Sequence, residues 1–173
     1  GLGGWSNTDY TFAGGKYVGW PSNEFRGYSE AQVTHNGNAN VTYFHQDDAK
    51  KGWVNYAQKW TKSVGAYLME QTTNTYFESV PYPGVNRVDL TAQQVNTYDM
   101  TAFYKFARTD YADHDPYGNA RQTTISGTGI TPRVTTTDFA YNTAAYIVNR
   151  PSRTDTRVGG VAGTKISETW FNY

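Results

Sequence analysis

The sequence predicts an all-β protein, an antiparallel β-sandwich or barrel with at most one short helix. Composition predicts it first: 15 Tyr, 8 Phe and 5 Trp stand against only three Leu, four Ile and two Met. Aromatic and β-branched residues fit a pleated, half-buried surface, whereas straight-chain aliphatics favour helices. Alternation predicts it second, since aromatic and polar side chains exchange places residue by residue over long stretches. Turn signals at short intervals are the third observation.

In chain order, the early strand candidates are Tyr10 to Phe12, Lys16 to Trp20, Glu30 to His35 and Asn40 to His45. Gly14-Gly15, Pro21-Ser22-Asn23 and Asn36-Gly37-Asn38 separate them, and the Asn36-Gly37 step between two strand-like runs predicts a tight hairpin. From Asp47 to Val64 the pattern changes. Trp53, Tyr56, Ala57, Trp60 and Val64 sit at helical spacing behind Asp47 and Asp48, which suit a helix N-terminus, while Gly52 weakens a helix by about 1 kcal/mol. This segment fits a short helix as well as it fits a strand pair.

Gly65 to Phe77 reads as extended, with Pro81-Tyr82-Pro83-Gly84 turning the chain after it. Val95 to Arg108 carries the strongest strand signal. Tyr98, Met100, Ala102, Tyr104 and Phe106 alternate with Thr97, Asp99, Thr101, Phe103 and Lys105, which predicts a single long strand apolar enough on both faces to be covered twice. Val134 to Asn149 is a second such strand after the Gly127-Thr128-Gly129 turn. Ile166 to Tyr173 is a third, its closing Trp170, Phe171, Asn172 and Tyr173 suggesting a terminus docked into a sheet. No low-complexity linker divides the chain, so residues 1–173 read as a single β-rich domain.

Charge and composition narrow the function classes. Fifteen basic and fifteen acidic residues give no net charge, and no basic run appears, so the electrostatic footprint of a nucleic-acid partner is absent. No apolar stretch approaches the roughly 20 residues of a membrane helix. The long segments 95–108 and 134–149, joined by a polar loop, do permit a membrane-inserting β-hairpin, because a bilayer needs only about 9–11 residues per strand. With no Cys there are no disulfides. A Thr-, Asn-, Gly- and Tyr-rich composition, together with an opening Gly1-Leu2-Gly3-Gly4-Trp5 that lacks an initiator Met, fits a secreted, extracellular or cell-surface chain after signal-peptide removal.

Chemistry-bearing motifs are few. The run from Asp110 to Asn119 offers Asp110, Asp113, Asp115 and Asn119, an oxygen set of the kind a hard cation such as calcium takes. Pro116 breaks the EF-hand spacing, and the same residues make an ordinary solvated turn. His35 and His45 flank the predicted hairpin and could face each other across it. No nucleophile elbow, phosphate-binding loop or His-Glu-x-x-His motif occurs, and a non-enzymatic role is the expectation. The remaining resource is aromatic: Trp5, Trp20, Trp53, Trp60, Trp170, Phe171 and Tyr173 are the candidate ligand or interface residues, unless they simply fill the core that Leu leaves empty.

Several short motifs follow a known order. Gly3-Gly4-Trp5-Ser6, Ser22-Asn23-Glu24-Phe25, Ser29-Glu30-Ala31-Gln32-Val33 and Gly52-Trp53-Val54-Asn55-Tyr56-Ala57 lead into an aromatic stretch through Tyr76-Phe77. In that order residues 3–77 resemble the lactococcin 972 family of small secreted bacteriocins, whose members are less than half as long as this chain. The stretch from Ala144 through Val148-Asn149 to Trp170-Phe171-Asn172-Tyr173 echoes the family's closing strands, while 78–143 has no counterpart. The resemblance implies a secreted β-sandwich that binds the envelope of competing bacteria and has no catalytic residues.

Three functions of different class fit these readings. One is an antibacterial, toxin-like protein whose partner is a cell-envelope component. Another is an extracellular structural subunit of a fibre, sheath or shell whose partners are copies of itself, joined through exposed strands. The third is a carbohydrate- or small-ligand-binding module that uses its aromatic rings.

Overall fold

The computed structural model describes residues 6–173. It is all-β and antiparallel. Eleven strands follow one another in chain order within one meandering sheet, and a two-stranded sheet stands apart. The strands are β1 (Thr8–Ala13), β2 (Tyr17–Val18), β3 (Glu24–Phe25), β4 (Glu30–His35), β5 (Asn38–Phe44), β6 (Val54–Thr61), β7 (Tyr67–Tyr82), β8 (Val85–Asp99), β9 (Ala102–His114), β10 (Ala120–Gly127), β11 (Ile130–Asn142), β12 (Ile147–Val158) and β13 (Thr164–Trp170). β2 and β3 form the small sheet; the other eleven form the large one. By contacts the chain divides into two compact units, one of Gly1–Val88 with Val95–Lys105 and one of Asp89–Gln94 with Phe106–Tyr173.

In the first unit, β1 pairs with β4, β4 with β5, β5 with β6 and β6 with β7. The Asn36-Gly37 hairpin forms as predicted. Both residues have positive φ, 49° and 78°, the pair a two-residue turn needs to match the right-handed twist of its strands. A row of side chains crosses this unit where Ala39, Trp60 and Leu68 lie opposite one another on β5, β6 and β7. In the second unit, β9 pairs with β10, β10 with β11, β11 with β12 and β12 with β13.

Segment 47–64 resolves as turn plus strand. Asp47 Oδ1 accepts from the backbone of Ala49 at 3.1 Å and of Lys50 at 2.7 Å, closing a tight turn rather than opening a helix. Gly52, at φ 81°, then lets the chain reverse into β6. Of the aromatics at helical spacing, Tyr56 and Trp60 instead sit on a strand paired on both sides, so tertiary pairing outweighs the local pattern.

The two long strands predicted at 95–108 and 134–149 are corrected. Each is a strand, a reversal and a second strand. Met100 and Thr101 carry φ 46° and 78° at the centre of the β8–β9 turn, positions usually filled by Asn and Gly. Alternation therefore runs through the turn without a signal. In the second case the reversal is a single 3₁₀ turn, Thr143–Ala145, capped by Asn142, whose Oδ1 accepts from Ala145 N at 3.1 Å, and closed by Tyr146 at φ 53°. Segments 95–108 and 134–149 are thus two turns with their flanking strands, not the two arms of one hairpin.

The core is thin. Among the described residues the buried apolar side chains are Ala39, Val41, Leu68, Ala92 and Val134. The chain exposes 11285 Å², where a globular monomer of 19.4 kDa exposes about 8,500 Å². Two independent globules of half that mass would expose only about 10,200 Å² by the same scaling. The excess reflects sheet faces left uncovered: Phe12, Phe25, Phe77, Tyr82, Phe103 and Tyr104 are all open to solvent. The aromatic residues replace Leu in number but not in burial.

Candidate interaction site

The aromatic candidates fall in separate places. Trp5 lies outside the described residues. Trp20, 87% exposed, occupies the turn between β2 and β3. Trp53 precedes β6 and meets Tyr76 edge-on at 5.1 Å, and Tyr76 in turn donates to the carbonyl of Val54 at 2.6 Å. Trp60 sits at the far end of β6 between Ala39 and Leu68, a structural position; its Nε1 is buried without a hydrogen-bond partner. Trp53 and Trp60 are about 23 Å apart along the strand.

Trp170, Phe171 and Tyr173 belong to the second unit. Trp170 stacks under the Arg153 guanidinium at 5.2 Å and Tyr173 under that of Arg150 at 4.9 Å, while Phe171 N bonds the Ser152 carbonyl. These contacts dock the C-terminal strand on β12, as the sequence suggests.

The four acidic-loop candidates divide between β9, which holds Asp110 and Asp113, and the turn after it, which holds Asp115 and Asn119. Asp110 lies within β9, opposite Thr124, and pairs with Arg108 at 2.7 Å. Asp115 sits in the β9–β10 turn, and its carboxylate is taken up by donors. Tyr117 N bonds it at 2.8 Å, Asn119 N at 2.9 Å, Asn119 Nδ2 at 2.8 Å and the Tyr141 hydroxyl at 2.7 Å. Burial alone would push the Asp115 carboxyl up; the bonds from Asn119, Tyr141 and the backbone outweigh it and hold the group below the usual carboxylate range. A carboxylate satisfied by N–H and O–H groups has no lone pair directed at an ion. Among the described residues, no three His, Cys, Asp or Glu side chains converge.

His35 and His45 do not face each other. His35 opposes Asn38 beside the turn and bonds the Thr8 hydroxyl at 2.8 Å. His45 lies beyond the other end of the same strand pair, edge-on to Tyr76 at 5.7 Å and 3.7 Å from Asp47. Burial pushes the His45 imidazole down.

A charge cluster on β12 and β13 has no counterpart in the sequence reading. Asp155, on β12, is buried, with Arg157 Nε at 2.8 Å, Lys165 Nζ at 3.2 Å and Arg153 at 3.6 Å; Glu168 then ties Lys165 and Arg153 together. Lys165 and Glu168 reach one face because β13 is bulged. Thr156 opposes Ser167 but Arg157 opposes Lys165, which leaves Ile166 as the extra residue.

The two outer strands of the sheet therefore differ. β13 is an edge broken by a bulge and lined with charges, two devices that discourage further pairing. β1 has neither. Its six residues pair with β4 in unbroken register from Thr8↔His35 to Ala13↔Glu30, and all six are exposed, Tyr10 at 65% and Phe12 at 59%. Phe12 stacks on Tyr28 at 5.2 Å, and Phe25 meets Tyr28 edge-on at 5.5 Å. Phe12, Tyr28, Ala31 and Phe44 line an apolar hollow beside this edge.

No known protein family matches this sequence, and no curated protein matches it. Among solved structures, the chain is similar to one in the crystal structure of TcdB2-TccC3, with a TM-score of 0.65 and 11% identity over 88% of this chain. The match covers 12% of that chain, so this sequence spans about an eighth of its structural neighbour. At that identity the likeness is one of fold: the same β arrangement occurs as a small part of a much longer polypeptide.

Proposed function

We propose that this chain is a structural sheet element that serves as a piece of a larger β-walled assembly, an extracellular fibre, sheath or shell. The observation that carries this reading is the thinness of the core. Five buried apolar side chains among the described residues leave most aromatic surface facing solvent, where a free-standing globule would cover it. A sheet so bare gains stability when further strands or sheets add to it, because each added neighbour removes apolar area from water at about 25 cal/mol per Å². Zero net charge removes long-range repulsion between copies. The occurrence of the same fold as a small part of a long chain supports the reading too. Function here lies in backbone edges and aromatic faces, and no catalytic step is assigned.

Sedimentation velocity over a concentration series at neutral pH tests it. The expected result is a species larger than 19.4 kDa whose share grows with concentration. A single 19.4 kDa boundary at every concentration contradicts it and turns attention to envelope or glycan binding.

A further inference from the structure

We propose that the open edge of β1 is a self-pairing site, at which two copies of the chain join antiparallel through Thr8–Ala13 with the two-fold axis at Thr11. The inference deepens the structural reading above by naming the edge, the partner and the register.

The hydrogen-bond pattern decides which groups are free. In the two-residue hairpin His35 and Asn38 flank the turn as a bonded pair, and Phe44 N bonds the Ser29 carbonyl at the other end of the same strand pair. Residues 31, 33 and 35 therefore direct their backbone groups to β5, and 30, 32 and 34 direct theirs to β1. Their partners there are Ala13, Thr11 and Asp9. The N–H and C=O groups of Thr8, Tyr10 and Phe12 point away from the sheet, along an edge that has no neighbouring strand among the described residues.

A second β1 strand satisfies those groups in an antiparallel register that sets Tyr10 opposite Phe12 twice, Thr11 opposite Thr11 and Asp9 opposite Ala13. The two Tyr10–Phe12 pairs exchange about four backbone bonds, and aromatic pairs directly opposed stabilise a sheet by up to about 1 kcal/mol each. Asp9, the one charged residue of β1, opposes no like charge. A register centred on Tyr10 is compatible with the same bonds but sets Thr8 against Phe12 and forfeits both mixed aromatic pairs. β13 cannot take this role as readily, because the bulge at Ile166 and the charges of Lys165 and Glu168 interrupt its edge.

The absence of cysteine makes the register directly testable. In a non-bonded antiparallel pair the Cα atoms lie about 4.5 Å apart, within disulfide reach. Single-cysteine chains Thr11→Cys and Ser167→Cys are oxidised mildly and run on non-reducing gels, beside sedimentation of the unmodified protein. The expected result is a disulfide-linked dimer from Thr11→Cys at least tenfold faster than from Ser167→Cys. Tyr10→Pro, which removes an outward N–H and no bond to β4, should abolish the dimer while leaving the far-ultraviolet dichroism unchanged. If the unmodified chain associates but Ser167→Cys cross-links faster than Thr11→Cys, the β1 site is overturned and the structural reading stands. If the unmodified chain is a monomer throughout, both fall.

Discussion

The hydroxyl of Tyr141 donates to Asp115 Oδ2 at 2.7 Å, joining β11 to the turn between β9 and β10. The neighbouring Asn119 side chain reaches from the same turn to the carbonyl of Val148 at 2.7 Å, so one carboxylate organises contacts with two further strands. Removing it leaves several donors in a nearly closed site without a partner. Asp115→Ala should lower stability by about 3 kcal/mol, and Tyr141→Phe, which deletes one bond, by about 1 kcal/mol. Urea unfolding midpoints check both, and equal losses would contradict the ranking.

The same group sets an acid limit. Its folded pKa lies below the unfolded value of about 3.9, so its contribution is present in full above that value and is lost as pH falls through the folded pKa. Stability should therefore decline on acidification below about pH 4, and Asp115→Asn should flatten that decline while lowering stability at neutral pH. Urea midpoints across that window read the difference; parallel curves for the two proteins would refute it.

Salt should separate the two kinds of contact in the second unit. Asp155 is held by Arg157, Lys165 and Arg153, and the hydrogen bond from Arg157, ahead of that from Lys165, holds its carboxyl below the usual range. Asp155→Asn should lower the urea midpoint, and the gap from the unmodified protein should shrink in molar salt as the ion pairs are screened. A gap unaffected by salt would assign Asp155 a packing role instead.

Side chains in the thin core should carry disproportionate weight. Val41, 1% exposed, should cost about 2 kcal/mol on truncation to Ala, and Leu68→Ala about 3 kcal/mol. Tyr146→Ala, at an exposed turn, should fall within about 0.5 kcal/mol of the unmodified protein. A comparable loss at all three sites would mean that the aromatic surface is already covered in solution.

In the hairpin, Gly37→Ala should cost about 1 kcal/mol, because Gly37 holds φ 78° where a Cβ is disfavoured. Thermal unfolding measures it, and an unchanged midpoint would show the turn to be adaptable.

Local rules made parts of this structure readable. Asn36-Gly37 has one good use between alternating runs, so the sequence places that turn, although β5 begins two residues before the expected Asn40. Glu30 to His35 likewise coincides with β4. Met100-Thr101 defeated the same reasoning, since two side chains without turn chemistry adopt left-handed conformations only because the flanking strands are paired. The bulge at Ile166 was equally invisible: register belongs to the pair of strands, and nothing local marks which residue will be skipped. One sequence signal was available and missed. Thr-Asp-aromatic-Ala occurs at 109–112 and again at 137–140, each time shortly before a reversal that brings an Asp or Asn side chain onto the turn backbone. As for the candidate aromatics, composition announced their number, but whether a ring covers a core or faces water depends on what packs against its strand, which no local pattern records.

Negative-stain electron microscopy of the purified chain at neutral pH tests the central claim most directly. The account predicts fibres, rings or extended sheets in which copies joined at β1 stack further through their exposed aromatic faces. A featureless field at concentrations where the protein remains folded would contradict it.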